Sequence, residues 1–410
     1  MAACLSTGVG FVTKSLVFFS TKHKIPDFRI LTRFASSSTY AKSSKVEFFS
    51  STTKRVIVGS IFGSFVGGFY AYKTFPSNKL KSSERKQQYV ASHAEFLTDN
   101  YIVPPDIKPS RHVKGTSDAL GLKLSLYQYQ TCPFCCKVRA FLEYYSIPYD
   151  VIEVNPVLRQ QIKFSKYKKV PILLIEDEKG CQQLNDSTVI ISLLSTHLMD
   201  SKVGLDEIAN MYAPLKYIDE ESGKEVSEVM NRYFLMFGDK TPLSRSEEDI
   251  KEERKWRRWA DDVLVHMLSP NIYQTPREAL QAFHYFSKVG DWEANFPIWE
   301  RYLVIYVGAA AMYLVGKRLK KKYSLKENVR ESLYDACREW NIAIGKDRIF
   351  LGGNMPNLAD LAVYGVLNSI EGCEAFQDLL KNTKIGPWYF RTKEAVSNHY
   401  GSKATQARIS

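Results

Sequence analysis

Acidic residues are nearly missing from the first 55 positions of this chain, which hold only Asp27 and Glu47 against nine Lys and Arg. Ser and Thr fill much of the rest. That is a transit-segment composition, although a plain basic arm would look the same. Cysteine is sparse as well: Cys4, Cys132, Cys135, Cys136, Cys181, Cys337 and Cys373 are the only seven in 410 residues. The number is odd and three of them crowd into five positions. A spread, paired secreted framework is thereby excluded, and one reactive dithiol in a reducing compartment fits. No zinc-finger spacing and no RNA-binding aromatic signature accompanies the net charge of +12, so anionic lipid or an acidic small ligand is expected ahead of nucleic acid. No internal repeat is visible, and no metal ion is expected.

Long uncharged runs are also scarce, which makes Val56 to Tyr72 stand out: 17 residues without a charge, bracketed by Lys54, Arg55 and Lys73. As a helix it would reach roughly 25 Å, at the short end for a bilayer core. Gly59, Gly63 and Gly67 share one face at a spacing that lets membrane helices approach closely. The expectation is an N-terminal membrane anchor, with a buried core segment as the bland alternative. The remaining organisation reads as a targeting segment (1–55), anchor (56–72), polar tether (73–119), dithiol domain (120–200), charged connector with a hairpin near Gly223 (201–250) and helical domain (251–400).

Between 123 and 199 the order of elements is legible. Lys123 to Gln130 alternates as a strand, and Cys132 to Tyr145 reads as a helix with Pro133 at its first position, where a missing N–H costs nothing. Asp150 to Val154 is a strand, Val157 to Phe164 a helix, and Ile172 to Glu176 with Gln182 to Leu184 a hairpin. Asp186 starts a last helix. A Cys-x-x-Cys at the first strand–helix junction of such a β-α-β-α-β-β-α string is the thioredoxin-fold layout. Cys132 sits where unpaired helical N–H groups stabilise a thiolate. Cys135, three residues on, shares its face and can resolve a mixed disulfide. A structural zinc half-site is the alternative, and no second ligand pair at suitable spacing supports it. Cys136 is turned away as a packing residue. Tyr129 could donate its phenol to the thiolate or to an oxygen substrate, although from spacing alone a core tyrosine is the better reading. Val170 and Pro171 precede the third strand, where thioredoxin folds usually carry a cis proline that exposes the preceding backbone. Asp186 caps a helix whose first residue, Ser187, offers an N–H and a hydroxyl; a glutathione α-carboxylate would find donors there and its ammonium would find Asp186.

From Glu247 the pattern turns helical, with Trp256, Trp259 and Val263, and then Tyr334, Cys337 and Trp340, at helical spacing. Asn357 and Asp360 form a capping box ahead of Leu361 to Leu367. The expected fold is therefore an α/β thioredoxin-like domain followed by an all-α, glutathione-transferase-like C-terminal domain, behind a membrane anchor.

The stretches LYQYQTCPFCCKVRAFLEYYSIPYDVIEVNP, KVPILLIE, QQLNDSTVIISLL, KWRRWADDVLVHMLSPN and GGNMPNLADLAVYGVL resemble the membrane-associated type-2 prostaglandin E synthase family, over about residues 55 to 395. The resemblance implies that Tyr129 and Cys132 act on a lipid-derived endoperoxide, with Cys135 beside them, and that Val170, Asp186 and Ser187 hold glutathione. It also implies haem bound together with glutathione, the glutathione sulfur approaching the iron, in a form that breaks the endoperoxide down instead of isomerising it. His266, Ser269 and Arg318 would line that cavity; Lys322 stands where the family often has a second arginine, so bidentate pairing is lost there. Without the resemblance His266 reads as core. A Golgi membrane is implied, a mitochondrial one is the alternative, and a homodimer is allowed. Three functions remain in play: an isomerase, a glutaredoxin-like oxidoreductase using Cys132 and Cys135, and a tethered haem and glutathione carrier.

Overall fold

The computed structural model describes residues 90–91, 106–115, 120–177, 180–218, 223, 225–236 and 245–402. The expected targeting segment, the anchor at 56–72 and Cys4 lie outside them. The described residues all fall in one compact unit, within Gln88–Ser410.

In chain order the first half contributes β1 (Val90–Ala91), β2 (Arg111–Val113), β3 (Lys123–Gln128), α1 (Pro133–Tyr144), β4 (Tyr149–Glu153), β5 (Ile172–Asp177), β6 (Gly180–Asn185) and α2 (Ser187–Met199). The main sheet has the order β2-β4-β3-β5-β6. β3 and β4 run parallel, and the other neighbours are antiparallel. Strand periodicity decides what each face meets. Leu124 and Leu126 of β3 pack into the large core with α1 and α2, while Tyr127 joins a smaller cluster on the opposite face with Cys132, Cys135, Ile152 and Ile172.

One expectation is corrected here. The helix read at Val157 to Phe164 is a turn followed by a short 3-10 segment, Gln160–Ile162. The Asn155 side chain accepts from the backbone N–H of Val157 and Leu158 at 2.8 and 2.9 Å, a local turn that competes with helix formation. Arg159 then takes φ +49°, which a continuing helix forbids. Within the stretch read as tether, Arg111–Val113 pairs as an edge strand on β4.

Next come α3 (Leu205–Asn210) and a hairpin of β7 (Leu215–Ile218) and β8 (Glu225–Glu228), with β1 on its outer edge. Gly223 lies in the hairpin loop at φ +65°. The helical half holds α4 (Glu247–Trp259), which runs through a π turn (Ala260–Leu264) into α5 (Val265–Ile272), then α6 (Pro276–Val289) and α7 (Trp292–Asn295). α8 (Ile298–Leu303) likewise continues through a π turn (Val304–Gly308) into α9 (Ala309–Lys322). α10 (Val329–Ile344), α11 (Leu358–Asn368), α12 (Glu374–Asn382) and α13 (Gly386–Ser397) complete it. Capping boxes start three of these helices: Ser246 with Asp249, Thr275 with Glu278, and Asn357 with Asp360. At the centre Trp340 is fully buried, edge-on to Trp256 and Trp388 and stacked on Trp259.

Two features bring the halves together. Gly365 of α11 lies directly on α1: a Cβ there would stand 2.6 Å from Lys137 Cα and 2.9 Å from the Cys136 carbonyl carbon. Beside it the buried Lys137 amine pairs with Asp261 and donates to Thr188 Oγ1 at 3.1 Å. Thr188 and Tyr233 in turn donate to the other Asp261 oxygen. One buried carboxylate thereby receives groups from α1, α2 and the connector.

Candidate active site

Cys132 is the N-cap residue of α1, with an extended backbone and Pro133 at the first helical position. Its side chain makes no capping bond, so the sulfur stands at the positive end of the helix dipole. Cys135 lies one turn on, and both sulfurs are buried. The Cys135 thiol is pushed well above the usual thiol range, first by burial and then by its hydrogen bond to Cys132, with the Tyr129 backbone N–H acting the other way. Cys135 therefore keeps its proton and donates it towards Cys132, the sulfur better placed to carry negative charge. Cys136 has a different environment. It accepts from Arg139 Nη2 at 3.1 Å and is pushed up to about 11 by burial.

Tyr129 precedes the dithiol turn, and the Cys132 N–H donates to its carbonyl at 3.1 Å. Burial drives its phenol far above the ordinary range, while the neighbouring Arg159 pulls the other way. At neutral pH it is a hydroxyl donor. Val170 and Pro171, joined by a cis bond, stand directly before Ile172, which pairs with Tyr127 on one side and Asn185 on the other. That register sets the Val170 backbone between the dithiol and Asp186. Asp186 caps α2 through Thr188 N at 2.8 Å and Val189 N at 3.3 Å. It does so at φ +67°, a strained conformation for a residue with a side chain. Tyr167, half-buried against the dithiol cluster, lies close enough to feel Asp186, Cys132 and Cys135 together.

Tyr129, Cys132, Cys135, Val170 and Pro171 thus belong to one locality, with Asp186 and Ser187 at its edge. His266, Ser269 and Arg318 lie on the packed pair α5 and α9, where His266 feels the charge of Asp261, the acceptor of the Thr188 hydroxyl. The His266 ring stacks on Tyr323 at 4.3 Å, and burial and Lys322 push it towards its neutral form. Ser269 is buried beside Gly316, and Arg318 is exposed.

Four residues of the site carried no signal in the sequence. Arg139 donates to the Gln130 carbonyl at 2.7 Å and to Gln128 Oε1 at 2.5 Å. Glu153 accepts the Gln130 N–H at 2.6 Å and is pushed up to about 7 by burial. Both backbone groups of Gln130 are therefore held, which clamps the turn between Tyr129 and Cys132. Arg159 beside the phenol and Tyr167 beside the thiols complete the four. A buried arginine on a helix has no spacing signature; only the fold shows what it clamps.

Comparison with known proteins adds the following. Residues 126–197 match the family model for the glutathione S-transferase N-terminal domain. Prostaglandin E synthase 2 of Mus musculus is 50% identical over 293 residues, covering 71% of this chain and 75% of that protein. Prostaglandin E synthase 2 of Danio rerio is 48% identical over 279 residues, covering 68% and 72%. Among solved structures, apo glutathione S-transferase III aligns at 14% identity over 70% of this chain and 96% of its own, with a TM-score of 0.36.

Proposed function

The chain belongs to the prostaglandin E synthase 2 family, and on that footing we propose that it isomerises a prostaglandin endoperoxide to the β-hydroxyketone of prostaglandin E. The observation that carries this reading is the pairing of a sulfur at a helix N-terminus with a phenol held neutral by burial. One is a base and nucleophile, the other a proton donor, and the isomerisation needs both. The Cys132 thiolate takes the proton from the ring carbon that bears one peroxide oxygen. That C–H pair becomes the carbonyl π bond, the O–O bond breaks, and the departing oxygen collects the Tyr129 proton. Proton return from thiol to phenolate resets the site, with no net oxidation. Cys135 holds the thiolate by its hydrogen bond, and the Gln130 clamp keeps phenol and sulfur in register.

Glutathione, a thiol cofactor, fits the residues present: the Val170 backbone, the strained Asp186 cap and the Ser187 N–H face one locality. Haem would lie against His266, Ser269 and Arg318. His266 offers a covered ring there, and Arg318 offers a cation for a carboxylate. No step above runs through either group. We further read the chain as anchored through Val56 to Tyr72, in a Golgi or mitochondrial membrane, with the site in a reducing compartment and a homodimer allowed.

The second reading, a glutathione-dependent dithiol oxidoreductase, is favoured by the contact between Cys132 and Cys135. Purified variants assayed on endoperoxide and on a glutathione mixed disulfide separate the two. Isomerisation predicts that Cys132→Ser and Tyr129→Phe each lose most activity while Cys135→Ser keeps most of it. Equal loss in both cysteine variants, with strong reductase activity in the parent, would replace the isomerase reading.

A further inference from the structure

The helix Ile298–Lys322, formed by α8, the π turn and α9, is long and apolar enough to cross a membrane by length and composition. It packs along one side on α5 and α6: a Cβ on Gly308 would stand 2.7 Å from the Phe283 ring, and Gly316 rests against Tyr273. Its opposite side is bare. Ile298 (68% exposed), Trp299 (59%), Tyr302, Leu303, Tyr306 and Val307 make an exposed apolar and aromatic stripe at helical spacing. Scattered exposed hydrophobes need no explanation, but a contiguous stripe does.

The stripe extends onto the thioredoxin-like half. Glu300, buried, accepts from the buried Asn155 side chain, which sets the turn carrying the exposed Val157 and Leu158 beside the start of α8. Cations lie beyond both ends. Lys317, Arg318, Lys321 and Lys322 continue along α9, and Lys163, Lys166, Lys168 and Lys169 follow the turn; all are exposed. Of the nearby acids, Asp291 is exposed, Glu293 pairs with Arg301 at 3.2 Å and Glu327 with Lys320 at 3.1 Å.

We propose that this face docks in the headgroup region of an anionic bilayer. A helix lying in the interface plane needs an apolar face for the acyl boundary, aromatic side chains for the headgroup level and cations for anionic lipids. Each cation near such a surface is worth about 1 kcal/mol, or roughly fivefold in binding. The cations at both ends decide between a lipid surface and a second copy of the chain, since two copies would set like charges together. The docking is a second attachment, independent of the sequence-predicted anchor and of the isomerase reading. It would also bring the Asn155 to Arg159 turn, and with it the phenol of Tyr129, to the level where a lipid-soluble substrate leaves the bilayer.

The test uses the full chain reconstituted in vesicles of phosphatidylcholine and phosphatidylserine with brominated acyl chains, read by tryptophan fluorescence. Trp256, Trp259, Trp340 and Trp388 are buried and Trp299 is exposed. The expected result is a partial quench that disappears in Trp299→Phe, returns when Tyr306→Trp is added to that variant, and shrinks when phosphatidylserine is omitted or salt is raised. Absence of a Trp299 quench in a chain that floats with the vesicles overturns the proposal. Efficient crosslinking of Trp299→Cys between two copies also overturns it, because a second copy then covers the face.

Discussion

Replacing Gly365 by alanine should invert the usual sign of that substitution. In an ordinary helix interior, Gly→Ala gains about 0.8–1 kcal/mol, because glycine loses more chain entropy on folding. Gly365 sits inside α11, away from both ends. The added Cβ would, however, stand 2.6 Å from Lys137 Cα, 2.7 Å from Lys137 N and 2.9 Å from the Cys136 carbonyl carbon. All three are backbone atoms of α1, so no side chain can rotate away. Relief requires α1 and α11 to separate by about 1 Å, and overpacking of this kind typically costs about 1–3 kcal/mol. The same shift moves Cys135, Cys136 and the Cys132 cap relative to Tyr129. Misplacement by about 1 Å can cost about a hundredfold in rate where geometry matters. The expected outcome is a lower midpoint in thermal unfolding together with a fall in kcat on endoperoxide. Ala310→Gly, exposed in the interior of the helix Ile298–Lys322, measures the ordinary propensity term. A Gly365→Ala protein that melts higher than the parent with unchanged kcat would refute the argument that close backbone contact positions the dithiol helix.

Four further outcomes follow from other parts of the structure. Lys137→Met leaves the Asp261 carboxylate buried without its ammonium and should cost about 3–5 kcal/mol by denaturant unfolding, with Lys137→Met combined with Asp261→Asn recovering part of it. Burial works to raise Asp261, but Lys137, Thr188 and Tyr233 outweigh it and hold it below the ordinary carboxylate range, so its stabilisation is present above that range and is lost on acidification; the double variant should lose that acid dependence. Glu153 has the opposite sign: its folded value near 7 lies above the ordinary 4.5, so its contribution is full below about 4.5 and is lost as pH rises through about 7, and Glu153→Gln should flatten unfolding stability across that window. Limited iodoacetamide labelling with peptide mapping should find Cys132 first; Cys337 and Cys373, pushed up to about 12 by burial, should lag, and their preferential labelling would count against a thiolate at Cys132. A chain beginning near residue 85 should withstand carbonate washing poorly and keep its activity; tight retention on membranes after that wash would place the main attachment outside Val56 to Tyr72.

Local signals carried much of the fold. Alternating β3, Pro133 at a helix start, the turn between β5 and β6, Asp186 as a cap and the Asn357–Asp360 box each depend on a few neighbouring residues, and local chemistry is what a sequence displays. The dithiol was legible for the same reason, since three positions separate its cysteines, whereas spacing alone reads Tyr129 as core and only the family resemblance singled it out. The turn at Asn155 to Arg159 was misread because its apolar spacing suits a helix, whereas one side chain bonding back to the chain, and one residue at positive φ, decided otherwise. Arg139, Glu153, Arg159 and Tyr167 acquired their places only when β3, β4 and α1 came together, as did the Lys137–Asp261 pair across more than a hundred residues. Long-range pairing of buried charge leaves no periodic trace, because its partner is chosen by the packing of whole elements. The bare side of Ile298–Lys322 is the same case in reverse: its composition announces an apolar helix, and only the packed neighbours on its other face decide that the stripe is left outside.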